Sequence, residues 1–431
     1  MSPVPWSLLP DTAEVGGDGH LLIGGVDTVE LAERFGTPLF VYDEEHLRRR
    51  CQQAVAAFPG GAAYASKAFL CGAMARLVQE EGLGLDAASG GELQVALKAG
   101  FPAERVVFHG NNKSTEELRT ALQAGVGRVV VDSTDEIDRL DVLVGREGLI
   151  KPYALVRVTP GVEAHTHDYI ATGQADSKFG FGLLSGAAAD AVTRLRRPDS
   201  PVHLVGLHVH IGSQIFVADS FARAIELLAP FVRSCGLPEL SIGGGLGVAY
   251  VEGESSEGIP AWGERVRKAV EAAGIEATIA AEPGRAIAAA GAITLYTAGT
   301  IKDVAGVRTF VAVDGGMIDN PRPALYGSDY ETFLPRHPRA DRPRNVRLVG
   351  KHCESGDVLV RDAHLPEDLR TGDLVATPVT GAYGHAMGSN YNRLARPAVV
   401  FVRDGQARLV VRRETLADLL ATDLELGSVS E

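Results

Sequence analysis

The stretch Arg105–Ser133, "RVVFHGNNKSTEELRTALQAGVGRVVVDS", decides the fold. It opens on an apolar, β-branched run ending at His109 and closes on a second such run ending at Asp132. Between them "STEELRTALQAGV" has helical spacing and stops at Gly125, a residue suited to a helix C-cap. Strand, helix and strand in this order make a βα unit of a parallel sheet. The same alternation extends in both directions. Strand-like runs recur as "AAYASK", "LGLDAAS", "RVVFHG", "RVVVDS", "YALVRVT", "LVGLHVHIG", "ELSIGGG" and "TIAAEPG", with helical stretches such as "GGELQVALKAG" between them. Eight repeats predict a (β/α)8 TIM-type barrel, an α/β fold, over residues 41–291.

Outside that region the pattern changes. From residue 292 to 431, runs such as "ITLYTAGTIKDV", "TFVAVDGG", "VRLVGKHC", "DLVATPV", "AVVFVRDG" and "ARLVVRR" alternate with Gly, Pro and Asp turns. They predict a second, all-β domain, a sandwich or barrel. Residues 1–40 are too short to fold alone and are expected to lie on that β domain. The connection after "VRVTP" carries "GVEAHTHDYIATGQADSKFGFG" and reads as an active-site insertion followed by a helix.

Composition narrows the function. The 431 residues are 45% hydrophobic and 23% charged, and the formal net charge of −13 argues against a nucleic-acid partner. Cys51, Cys71, Cys235 and Cys353 are scattered, which favours reduced thiols in a cytoplasm over a disulfide framework. No signal peptide and no apolar span of bilayer length is evident, so no membrane partner is expected.

Barrel enzymes keep their reactive groups at the C-terminal ends of the strands. Lys67 ends the first run, Asp86 the second, His109 the third, Arg157 the fifth, His210 the sixth, Gly243–Gly245 the seventh, and Glu282 with Arg285 the eighth. Lys67, in an otherwise small and apolar run, is either a lysine snorkelling from a strand end or a Schiff-base lysine. The glycine run is a tight turn or an anion cradle, and Glu282–Arg285 a surface pair or an inward carboxylate with a guanidinium fork. His208 and His210 share a face of one strand. With His165 and His167 they offer four ligands, but no carboxylate spacing completes a zinc motif, so no metal is expected. A ring stacked on a flat cofactor suits His210, with Ser213 offering a hydroxyl to a phosphate. In the β-rich part Cys353 and Glu354 sit in a glycine-bounded turn where a thiol has reason to be exposed, and Tyr383 sits in another. A lysine, a phosphate cradle, a carboxylate for a pyridine nitrogen and a stacking histidine together describe a site for pyridoxal 5'-phosphate.

The motifs "YASKAF", "LDAASGGEL", "FHGNNKS", "SKFGFG", "GLHVHIGSQI", "GGGLG", "AEPGRAI", "DGGMIDNPRPALYG", "GKHCESGD" and "TGAYGHAMGSNYN" closely resemble the meso-diaminopimelate decarboxylases, pyridoxal-phosphate enzymes of fold type III. The likeness runs from about residue 20 to about residue 415. It implies that Lys67 is the Schiff-base lysine, that His210 stacks on the ring, and that Glu282 pairs with the ring nitrogen. Asp86, Ser213, Gly244, Gly245, Gly284, Arg285 and Tyr383 are implied as cofactor contacts. Arg285, Arg322, Tyr326, Tyr383 and Glu354 are implied to hold the substrate, and Cys353, or else Lys67, to donate the proton. The implied reaction is loss of carbon dioxide from meso-2,6-diaminopimelate to give L-lysine, in a homodimer whose Cys353 and Glu354 enter the partner's barrel. The rivals are a related decarboxylase for another, even carrier-bound, amino acid, and a non-catalytic regulator of the same fold.

Overall fold

The computed structural model describes residues 2–161, 176–216 and 219–424. The chain divides into two compact units, residues 48–248 with 255–287, and residues 1–47 with 249–254 and 288–431. The dividing point near residue 47 falls inside the helix Glu44–Ala57, so no flexible linker marks it.

The first unit is a parallel barrel. Its strands are β1 (Ala63–Ala65), β2 (Gly84–Ala87), β3 (Val106–Phe108), β4 (Arg128–Val131), β5 (Tyr153–Thr159), β6 (His203–Val209), β7 (Glu239–Ser241) and β8 (Thr278–Ala280). They lie in sequence order, each parallel to the next. The ring closes where the Ala63 amide donates to Ala281 O at 2.9 Å, Ala281 N to Gly61 O at 3.1 Å, and Ala65 N to Pro283 O at 3.2 Å. An added two-residue strand, Phe181–Gly182, runs parallel to β5 and ties the far end of the long connection to the barrel. That pairing was not foreseen, because two residues carry no periodicity. His165 and His167 lie outside the described residues.

Local chemistry places the helices. Ser89, Ser114 and Ser133 each accept a hydrogen bond from the backbone amide three residues on, and so start the helices Gly90–Lys98, Thr115–Ala124 and Thr134–Gly145. Ser114 and Glu117 cap each other reciprocally, and Gly125 ends the same helix with φ +74°. Apolar faces such as Leu118, Ala121 and Leu122 are buried against the sheet side of the unit.

The second unit is built on the long strand Ala292–Val304. Its first half pairs antiparallel with both Leu39–Asp43 and Leu374–Pro378, and its second half with Arg308–Val313. The sheet continues on one side through Arg344–Val349 and Val358–Leu365, and on the other through Ala398–Arg403 and Gln406–Val411. The strand Val358–Leu365 was absent from the sequence reading. Arg361, Asp362 and His364 interrupt its apolar pattern, and bulges in its pairing break the alternation that would have marked it. The N-terminal residues Val4, Leu9, Leu21 and Leu31 join Phe333, Ile293 and Val400 in one core. Among the described residues no helix is long and apolar enough to cross a membrane.

The closing seam accepts only small residues. A Cβ on Gly60 would lie 2.5 Å from Ile279 O and 2.6 Å from Thr278 Cγ2, on the strand that β1 must reach. Gly60→Ala is therefore expected to lower stability by about 1–3 kcal/mol through overpacking. Gly72→Ala, whose Cβ meets nothing nearer than 3.9 Å, should stay within about 0.5 kcal/mol of the parent. Urea unfolding of the two variants, followed by far-UV circular dichroism, checks this. Equal midpoints would show that the seam tolerates a methyl group.

Candidate active site

Strand β1 runs into a 3-10 turn, Ser66–Ala68, in which Ser66 and Ala68 are buried on either side of Lys67. Lys67 is exposed. Though accessible, it bears with its charge on the buried Asp86 and His210. The enclosed lysine of the barrel is Lys113, only 2% exposed. Its Nζ donates to Gly110 O at 2.7 Å and Val130 O at 2.8 Å and lies 2.9 Å from Glu136 Oε1. The sequence put Lys113 in "HGNNKS" with no role, and the structure makes it the strut of the loop behind His109.

Glu282, just past β8, lies at the centre of the described barrel groups. Ser241 Oγ, at the end of β7, donates to its Oε1 at 2.7 Å, and His208 Nε2 on β6 lies 2.9 Å from its Oε2. His109 Nε2 stands 3.5 Å from both Glu282 Oε1 and Asp86 Oδ1, and its ring meets that of His208 edge-on at 4.9 Å. Burial alone would raise the Glu282 carboxyl, but the imidazoles of His208 and His109 outweigh it and hold the group well below the usual carboxylate range. Asp86 goes the other way. Burial pushes it up to about 6, with His109 opposing and Glu282 reinforcing. Arg157, on β5, has Nη1 3.6 Å from Asp132 Oδ1 and its guanidinium over the Phe179 ring at 4.3 Å.

His210 lies two residues beyond His208 but serves a different partner. Its Nδ1 accepts from the Gly244 amide at 3.2 Å. Burial, then the charges of Lys67 and Arg157, lower its basicity well below the ordinary histidine range, so the ring is neutral. The loops after β6, β7 and β8 press together around it. A Cβ on Gly244 would lie 2.2 Å from Glu282 O, and one on Gly245 2.2 Å from Gly212 O, so only glycine permits the approach. Gly284 is buried against Ala65 and Ala68, and the buried Arg285 donates from Nη2 to Ser213 Oγ at 3.0 Å. The barrel thus gathers Lys67, Asp86, His210, Ser213, Gly244, Gly245, Glu282, Gly284 and Arg285 at one end. This donor set fits pyridoxal phosphate: an amine, a neutral ring face, an anionic carboxylate, and backbone amides with a guanidinium at the late strands where barrels hold phosphates.

The β-rich unit carries the remaining candidates. Arg322 is 5% exposed. Its Nη1 donates to Tyr330 OH at 2.6 Å, and its Cζ lies 4.0 Å from the Tyr250 ring centre, while its Nε is buried without a partner among the described residues. Tyr326 and Tyr383 are half-buried, and Tyr383 adopts φ +59°. Cys353 and Glu354 are exposed at the tip of a turn whose floor is Asp357. Asp357 accepts from Met317 N at 2.7 Å and His352 N at 2.9 Å, and lies 2.8 Å from His352 Nδ1. His352 stacks on Tyr391 at 5.8 Å, and Cys353 N donates to Asn392 Oδ1 at 3.0 Å. Tyr250, Tyr330 and Asp357 were not singled out from sequence. Asp357 closes the motif "CESGD", and the two tyrosines carried no local signal.

Two groups converge as a metal site requires among the described residues, His109–His208–Glu282 and Asp18–His20–Asp27. Neither joins His208 to His210, whose side chains go to different partners.

Residues 44–289 match the family profile described as pyridoxal-dependent decarboxylase, pyridoxal binding domain. The chain is 48% identical over 445 residues to diaminopimelate decarboxylase of Mycobacterium tuberculosis, covering 98% of both, and 47% identical over 435 residues to that of Bacillus subtilis, covering 96% of this chain and 98% of the relative. It superimposes with a TM-score of 0.88 on the crystal structure of diaminopimelate decarboxylase from M. jannaschii in co-complex with L-lysine, at 32% identity and covering 96% of this chain and 98% of that one. With the barrel end furnished as described and the likeness spanning both units, the chain belongs to the diaminopimelate decarboxylase family of pyridoxal-dependent decarboxylases.

Proposed function

We propose that this protein is a carboxy-lyase that converts meso-2,6-diaminopimelate to L-lysine and carbon dioxide, the last step of lysine biosynthesis, with pyridoxal 5'-phosphate as cofactor. The observation that carries it is the barrel end itself, where an exposed lysine, a neutral His210 and an ionised Glu282 stand together in a chain 48% identical to diaminopimelate decarboxylases over nearly its whole length. The bound cofactor supplies an electron sink for the pair left behind when the carboxylate departs.

The chain's own residues do the rest. Lys67 would hold the cofactor through its side-chain amine. His210 would stack on its ring, and Glu282 would accept a hydrogen bond from the ring nitrogen and keep it protonated. The amides of Gly244, Gly245 and Gly284, with Ser213 and Arg285, hold the phosphate, and Tyr383 completes the cofactor contacts. Asp86, which shares His109 with Glu282, would add to the cofactor contacts. Arg285 and Arg322 hold the distal carboxylate of the substrate, Tyr326 and Tyr383 line that end, and Glu354 holds the distal ammonium. A substrate lacking those groups leaves buried polar atoms such as Arg322 Nε unpaired and is rejected on that ground. Cys353 delivers the proton to Cα. The exposure of Cys353 and Glu354 supports a cytoplasmic homodimer in which both enter the partner's barrel. The three other cysteines, Cys51, Cys71 and Cys235, are buried and form no disulfide, in keeping with a reducing compartment.

Carbon dioxide release from a panel of diamino acids tests the substrate, with meso-diaminopimelate expected to be the preferred one and LL-diaminopimelate poor. Borohydride reduction of the holoenzyme should fix the cofactor on the peptide containing Lys67. Recovery of the adduct at the buried Lys113 or any other lysine would remove Lys67 from its role. The shared site is tested by mixing subunits. Lys67→Ala and Cys353→Ala homodimers should each be nearly inactive. After random exchange of equal amounts, half the dimers are mixed and each has one native site of two, so activity should return to roughly one quarter of wild type for an isologous dimer. Verified heterodimers that stay inactive would assign both residues to one chain's site.

A further inference from the structure

We propose that His208 and Ser241 are positioning residues for the reaction: each holds one oxygen of the Glu282 carboxylate, so that the carboxylate stays ionised and lies in the single plane from which it serves the cofactor's ring nitrogen. This rests on the reading of the site as one for pyridoxal phosphate with Glu282 at the ring nitrogen.

The two residues are direct neighbours in the barrel. His208 on β6 is in register with Ser241 on β7, and both are almost fully buried. The distances of 2.9 Å to Oε2 and 2.7 Å to Oε1 assign one donor to each oxygen. The direction of each bond is set by what lies behind it. His208 Nδ1 is buried and has no partner among the described residues, so the ring proton belongs on Nε2, where the carboxylate accepts it. Ser241 Oγ accepts from the Gly243 amide at 3.2 Å, which commits its hydroxyl proton to Glu282. Two donors on one carboxylate stabilise its ionised form and fix its rotation about the terminal torsion, which is otherwise broad. His109, at 3.5 Å, is too distant to replace either bond. With one donor removed the buried anion loses half of its direct solvation, its proton affinity rises, and it competes with the ring nitrogen for the proton that the electron sink requires.

The test uses full-length holoenzyme loaded with pyridoxal phosphate carrying 15N in the ring. In the parent the ring-nitrogen resonance is expected at the protonated position. In His208→Leu and Ser241→Ala it should move toward the unprotonated position at the same pH, with kcat falling by about 10- to 100-fold, the usual range for loss of an outer-shell partner, and KM little changed. His208→Gln and Ser241→Thr, which restore a donor at nearly the same place, should recover both signals. A merely structural role would lower thermal stability without moving the resonance. Ring nitrogens that remain protonated in both donor-less variants would overturn the proposal. If His208→Leu is recovered only as aggregate, Ser241→Ala decides alone by the same criterion. The underlying reading fails separately: an unprotonated ring nitrogen in the parent, or one that Glu282→Gln leaves unmoved, would show that Glu282 is not its partner.

Discussion

The barrel exists because its eighth strand can lie against its first, and that contact admits almost no side chain. The backbone bonds from Ala63, Ala65 and Ala281 draw the two strands together, and Gly60, Gly284, Ala65 and Ala68 leave the room. The small, apolar character of "AAYASKAF" and of "TIAAEPG" is thus one requirement seen from its two sides. Closure then decides the chemistry. It carries Glu282 inward beside β7 and β6 and places Gly284 directly behind the turn that bears Lys67. An open sheet of the same strands would leave these groups at opposite edges.

The second theme is how a closed barrel tolerates so many ionisable groups. Carboxylates, imidazoles and guanidiniums share the strand ends, and the protein separates them by environment. Glu282 receives two donors and stays anionic, while Asp86 is left to burial and moves up to about 6. His210, between Lys67 and Arg157, is kept neutral. Adjacent groups driven in opposite directions are what acid–base assignment in an active site consists of. Lys113 and Glu136 form a second buried pair whose task is mechanical, since the remaining bonds of Lys113 go to backbone carbonyls of the loop after β3 and of strand β4.

Much of this was legible in the sequence, for reasons that also mark its limits. The βα alternation and the strand-end position of reactive residues are local properties, and the barrel followed from them. The long connection was read as an insertion followed by a helix, and the strand Phe181–Gly182 within it escaped because two residues carry no period. Val358–Leu365 escaped because its charged residues and bulges interrupt the alternation. The apolar neighbours of Lys67 gave no sign of the 3-10 turn that leaves it accessible between the buried Ser66 and Ala68. The spacing of His208 and His210 put both on one face of a strand, yet gave no sign that their partners differ, since those lie beyond other strands, Glu282 for one and Gly244 for the other.

One buried carboxylate in the β-rich unit has a bearing on how this enzyme can change over time. Asp357 binds amides of two separate loops and the imidazole of His352, and Gly316 and Gly350 are glycines because a Cβ on either would fall within 2.6 Å of that carboxylate. Residues from two distant segments, Gly316–Met317 and Gly350–Asp357, therefore form a single unit of inheritance. A mutation at one of them alters the meaning of mutations at the others, so their effects are not additive. Exposed positions on the rim above, such as Ser355, can change one at a time, whereas the floor beneath moves only as a set. A tip grafted from a relative would keep its shape only if its floor came with it.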